Sequence, residues 1–293
     1  MTKKILILII ILSALAACTP APVPTPAPVG PILSLTQDML RNATYLAPTS
    51  GRTVTLVDGA YASGDDPATE DFLQVTLSDP LAFGDLDYDG REDAAVLLAE
   101  NMGGTGVFVS LVVMLDDNGS PRQAASVFVD DRPMINMLVI QSGEILLDAI
   151  LHDADDPMCC PEQQVQRGYR LYSDQMVLTR LSSETGTGLM RSIDITSPTD
   201  LEEMEYPLAV SGSVTVGPFE NTLAYNIYDP ANILVTAGSV MTDSPDMGLP
   251  GNFTLSVDLT MAGVSGSIRI EFVEYSMADG SIMVLDSVLV NVP

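Results

Sequence analysis

The 293-residue sequence carries 12 basic against 39 acidic residues, a formal net charge of −27, with 46% hydrophobic and 17% charged residues. That balance describes a globular chain long enough for two cores. Its acidity excludes nucleic acid and adsorption to anionic lipid headgroups, and favours cations, cationic polymers or basic proteins as partners.

The opening stretch MTKKILILIIILSALAAC has a basic start at Lys3 and Lys4, an apolar run from Ile5 to Leu12, and small residues leading into Cys18. This is the pattern of an export signal, too short in its apolar part for a membrane span. Leu15 to Cys18, LAAC, resembles a bacterial lipobox. The resemblance implies a signal peptide over residues 1–17 and a lipidated, palmitate-bearing Cys18 that anchors the protein to the extracytoplasmic face of the cell membrane, or to the outer membrane in a diderm source. Several acyl chains together give stable anchoring where one gives marginal binding. Removing Lys3 and Lys4 with the signal leaves Arg as the only basic residue type and a net charge of −29.

Residues 18–33 form a proline-rich linker, including TPAPVPTPAPVGP, which cannot make helix or sheet ladders. It favours extended polyproline II at about 3.1 Å per residue, a stalk of roughly 40 Å.

The next segment, residues 34–181, reads as an α+β domain. Leu35, Met39, Ala43 and Leu46 fall at helical spacing behind Ser34 or Thr36 as N-cap, which predicts one short helix. β-type runs follow: TVTLV, FLQVTL, DAAVLLA, GVFVSLVVML, ASVFV, MINMLVI, EILLDAIL, GYRLY and QMVLTR. The turns DDNGS, QSG and YSDQ between them suit antiparallel hairpins, so a mostly antiparallel sheet with a helix against it is expected.

Within this segment lies GDLDYDGREDAAV, Gly84 to Val96. Counting from Asp85, Asp87 and Asp89 take the third and fifth positions, Gly90 the sharp turn and Arg91 the position that offers a carbonyl, as at the start of an EF-hand. Val96 stands where the closing Glu of an EF-hand belongs, which removes that reading. Asp93 completes D-x-D-x-D-G-x-x-D, similar to the strand-to-strand calcium loops of FG-GAP repeats. The resemblance makes Asp85, Asp87, Asp89 and Asp93 side-chain ligands of calcium and Arg91 a carbonyl ligand, in a structural role at a weak, extracellular affinity of roughly 10⁻⁴ to 10⁻³ M. The alternative is a solvated acidic turn, and Tyr88 is bulky for such a loop. The glycine-rich NMGGTG has neither Lys nor a helix pattern after it, so a tight hairpin is expected in place of a phosphate cradle.

DADDPMCCP brings Cys159 and Cys160 together outside the cytoplasm with no other Cys to pair once Cys18 is acylated. A vicinal disulfide that rigidifies the turn is expected, with two free thiols as an alternative; a metal site with His152 is the weakest reading, because adjacent Cys with one His give poor tetrahedral geometry. This whole segment resembles a secreted bacterial domain that carries the acidic loop and the DPMCCP motif, and no activity comes with it.

SSETGTG has no apolar residue, and residues 182–191 read as a linker. Seven strands follow over residues 192–293: SIDITS, YPLAVSGSVTV, NTLAYNIYD, ILVTAGSVM, NFTLSVDLT, SGSIRIEFVEYSM and SIMVLDSVLVNV. Phe253, Leu255, Val257 and Leu259 alternate with polar residues, and Asp279-Gly280 signals a hairpin before the last strand. A two-sheet sandwich is the expected architecture. From Ile193 to Val292 the sequence resembles the immunoglobulin-like domain of bacterial spore-germination lipoproteins, through its S-P opening, the run from Pro207 to Thr222 and the closing aspartate-glycine hairpin. That resemblance implies an extracytoplasmic β-sandwich without known catalytic residues, and no germination role.

Catalysis has little sequence support: His152 is the only His, and Gly263 to Ser267 reads GVSGS, not G-x-S-x-G. The expected function is a non-catalytic envelope module that binds another surface protein or polymer. A carboxylate-dependent hydrolase in the first domain and a calcium- or redox-responsive module are the alternatives.

Overall fold

The structure, a computed structural model, describes residues 34–153 and 156–293; the signal segment, Cys18 and the proline-rich linker lie outside them. Thr36 caps a five-residue helix, α1 (Gln37–Arg41), its Oγ1 accepting from Met39 N at 3.3 Å. The helix is shorter than its apolar spacing predicts, because Asn42 turns its backbone N–H to the Met39 carbonyl and its side chain to Asp38 O. The chain then leaves as β1 (Thr44–Leu46), paired with β2 (Thr53–Thr55). Leu35, Leu40, Ala43 and Tyr45 nevertheless share one core.

Five antiparallel strands follow in meander order: β3 (Ala60–Ser63), β4 (Leu73–Gly84), β5 (Asp93–Asn101), β6 (Phe108–Asp116) and β7 (Pro121–Asp131). β5 and β6 are near-continuous apolar runs because both their faces are covered. Ala94, Val96, Leu98, Val112 and Met114 pack with α1, β1 and β2, while Ala95, Leu97, Leu111 and Val113 pack on the opposite side. Each such Leu or Val contributes about 1.5–3 kcal/mol by leaving water. NMGGTG joins β5 to β6 as the expected hairpin, with Asn101 Nδ2 on Gly106 O at 2.7 Å. A Cβ at Gly103 would lie 2.1 Å from Pro67 O, which accounts for glycine there.

The opposite side of that sheet is covered by a second meander, β8 (Met134–Gln141), β9 (Glu144–Leu151), β10 (Gln163–Tyr172) and β11 (Gln175–Glu184), through Leu138, Leu147 and Val165. Three hairpins close on two left-handed residues: Asn118-Gly119, Ser142-Gly143 and Ser173-Asp174. This geometry matches the twist of the flanking strands.

Residues 182–191 are the end of β11, a turn, and β12 (Met190–Arg191), which folds back on β11. Then come β13 (Ile193–Ser197), β14 (Glu202–Glu203), β15 (Leu208–Val214), β16 (Thr222–Tyr228), β17 (Leu234–Met241), β18 (Gly251–Val257), β19 (Gly266–Tyr275) and β20 (Ile282–Val292). The sheet β13-β15-β18 faces β17-β16-β19-β20 across a core that includes Val210, Ile227, Phe253, Ile270 and Val290. Phe253 and Phe272 meet at 4.5 Å between ring centroids. This is the mainly β, sandwich-bearing architecture that the strand pattern predicts. Leu259 is buried but lies beyond β18, just before the short turn Thr260–Ala262.

The sandwich does not hang free. β20 pairs with β11 at Leu181 and Leu285, so one sheet runs β17-β16-β19-β20-β11-β10-β9-β8, and Leu33–Pro293 is one compact unit.

Candidate functional site

The acidic loop joins β4 to β5, strand to strand. Its carboxylates fold it on themselves: Asp85 Oδ2 accepts from Gly90 N at 2.9 Å, Asp87 Oδ1 from Asp89 N at 3.2 Å, and Asp89 Oδ1 from Arg91 N at 2.9 Å. Asp85, Asp87 and Asp89 bring one oxygen each to within 4.8 Å of one another, the only such group of three or more metal-binding side chains among the described residues. Arg91 turns its guanidinium onto Asp89. Asp85 Oδ1 is buried without a hydrogen-bond partner among the described residues.

Asp93 stands apart from this group. It is 1% exposed, and its two oxygens accept from Leu86 N at 2.8 Å and Asp116 N at 2.9 Å. Burial pushes its pKa upward, and the carboxylates of Asp87 and Asp89 add to the rise against those two amides. Asp93 therefore pins the loop to the neighbouring hairpin in this structure, a role the D-x-D-x-D-G-x-x-D spacing does not distinguish from ligation.

Cys159 and Cys160 are joined through their sulfurs at an exposed turn, where Cys160 N donates to Pro157 O. Arg132, paired with Asp131, also donates to Met158 O. His152 does not turn to the cysteines; its Nδ1 lies 3.0 Å from Asp130 Oδ2.

Tyr88, at φ 62°, reaches away from the acidic loop. Its hydroxyl donates to Ser142 O at 3.0 Å and accepts from Arg170 Nη1 at 2.8 Å. A Cβ at Gly143 would lie 2.3 Å from that hydroxyl, so the glycine makes room for the ring. Arg170 Nη2 pairs with Asp200 Oδ2 at 2.8 Å, and Asp200 Oδ1 accepts from Leu289 N at 3.0 Å. A polar relay thus runs from the acidic loop to β20.

Beside it, Asp286 on β20 accepts from Ile195 N at 3.0 Å and lies 3.4 Å from Arg180 Nη2. Burial, with a smaller contribution from Glu144, pushes its pKa up to about 6 against Arg180. Glu144 is buried and accepts from Thr179 Oγ1 at 2.6 Å. A Cβ at Gly168 would sit 2.6 Å from Glu144 Oε1, so glycine at this bulge in β10 leaves space for the carboxylate.

Residues 192–281 match the family model described as the immunoglobulin-like domain of bacterial spore germination. This segment is immunoglobulin-like. No curated protein matches the chain. The match includes β13 through β19, while β20 lies beyond its end yet completes the sheet of the immunoglobulin-like domain. The domain holds a buried ion pair, Arg269 with Glu271, whose guanidinium lies 4.1 Å from the centre of the Tyr228 ring. Arg170, Asp286, Arg269 and Glu271 escaped the sequence reading as site residues. The available signal was a charge inside a strand-like run, as in GYRLY, VLDSVLV and SIRIEF.

Proposed function

We propose that this protein is a lipid-anchored, extracytoplasmic module of the bacterial cell envelope that binds another surface protein or polymer and does not act by catalysis. The sequence LAAC ending at Cys18, on the same chain as an immunoglobulin-like domain, carries this reading. The net charge of −29 without the signal makes a basic partner the complementary one. Cells fed labelled palmitate should incorporate label into the unsubstituted protein and none into Cys18→Ser, which should also leave the membrane fraction. Equal labelling of the two would overturn the anchoring.

Within that role we read the acidic loop as a structural calcium site. Three carboxylates held within 4.8 Å repel one another without a cation, and the unpartnered Oδ1 of Asp85 is an oxygen available to one. Asp85, Asp87 and Asp89 supply the side-chain ligands, with the Arg91 carbonyl; Asp93 acts as the pin unless its amide bonds open. Calorimetric titration of chelator-stripped protein should show calcium binding at roughly 10⁻⁴ to 10⁻³ M. Asp87→Asn should abolish the heat, and an unsubstituted protein that gives no heat ends the calcium reading.

A further inference from the structure

The cavity beside Asp286, about 390 Å³, lies where β9, β10 and β11 meet β13 and β20. Four carboxylates line it, Glu144, Asp194, Asp200 and Asp286, against two guanidinium groups, Arg170 and Arg180. Arg170 is already committed to Asp200, the Tyr88 hydroxyl and Ser142 O. Arg180 stands 3.4 Å from Asp286 Oδ1 without making a hydrogen bond to it. Asp286 is 3% exposed, and this oxygen has no hydrogen-bond partner among the described residues.

A buried carboxylate oxygen left without a donor is costly, and a charged donor is the strongest group that satisfies it. The carboxylates of this cavity do not form a group with three oxygens within 4.8 Å, so they do not offer the converging oxygen shell that a hard divalent ion takes. Four carboxylates against two guanidinium groups leave the cavity net negative, and Asp286 Oδ1, with Arg180 at 3.4 Å, still lacks a hydrogen bond from a charged donor. At roughly 30 Å³ for each water-sized group, the space holds on the order of ten non-hydrogen atoms.

We propose that this cavity binds an organic cation, an ammonium or guanidinium group that pairs with Asp286 and Glu144. The source is either a free small amine or a Lys or Arg side chain presented by a basic partner. The site is separate from the acidic loop and does not depend on calcium there.

The test is calorimetric titration of the full chain at low salt with putrescine in one arm and N-acetyl-arginine amide in the other, with butane-1,4-diol as the uncharged control. Saturable binding of the diamine identifies a free amine as the fitting source, and binding of the arginine derivative a presented side chain; the diol should give none. Asp286→Asn keeps an acceptor for Ile195 N and should weaken binding roughly tenfold or more, while Asp87→Asn should leave it unchanged. Glu144→Gln is the second variant, expected to weaken binding in the same direction. The proposal is overturned by absence of saturable heat with both cations, by binding insensitive to both substitutions, or by calcium competing equally with the organic cation.

Discussion

Arg269→Met is expected to cost about 3–5 kcal/mol of folding stability, measured by chemical denaturation. Arg269 is 2% exposed and Glu271 5%, on one face of β19. The guanidinium donates to Glu271 and to Asn232 Oδ1 at 2.9 Å, and stacks over Tyr228. Glu271 also accepts from Asn226 Nδ2 at 2.8 Å. Removing the Arg leaves a carboxylate in a place where water cannot replace the lost partner. The loss belongs chiefly to that stranded charge and not to the net worth of the pair, because replacing both members of a buried pair by apolar groups is often neutral. The double substitution Arg269→Met with Glu271→Leu should therefore recover most of the stability. A double variant no more stable than the single one would mean that shape and the Tyr228 contact, not the charge, set the effect.

The second large effect depends on pH. Asp286 has its pKa raised from 3.8 to about 6 by burial, so the folded protein holds this proton more tightly than the unfolded chain does. The stabilisation from protonation is full below about pH 4 and is lost as pH rises through about 6. A shift of roughly two units corresponds to about 3 kcal/mol. Asn resembles the protonated acid, so Asp286→Asn should be more stable than the unsubstituted protein by up to about 3 kcal/mol above pH 7, and the two should converge near pH 4. Denaturation curves across that range check it. A difference that is constant with pH would show that Arg180, at 3.4 Å, compensates the buried charge fully.

The strands were legible where periodicity reports burial. Phe253 to Val257 alternates because one face of β18 is wet, and DAAVLLAEN is continuous because β5 is covered twice. The helix length was not legible, since Leu35, Met39, Ala43 and Leu46 keep their shared apolar direction when the chain passes from helix to strand. For the acidic loop, spacing identifies Asp85, Asp87 and Asp89 as neighbours, because they lie within one turn of chain. Spacing cannot reveal that Asp116 N, 23 residues away, occupies an oxygen of Asp93. The relay at the junction is less visible still: Tyr88 and Arg170 are 82 residues apart, and Asp200 and Leu289 are 89 apart. Such pairs are products of topology, and only the presence of charges inside apolar runs hints at them.

Strand β20 sets the boundary of the folded body apart from that of the matched segment. The segment that matches the immunoglobulin-like family ends at residue 281, yet β20 begins at Ile282 and pairs with β19, β14 and β11. The stretch that matches the family is thus smaller than the body that its hydrogen bonds hold together. β20 belongs to both: it is the seventh strand of the sandwich and, through Leu285, the seam at which the sandwich joins a larger sheet.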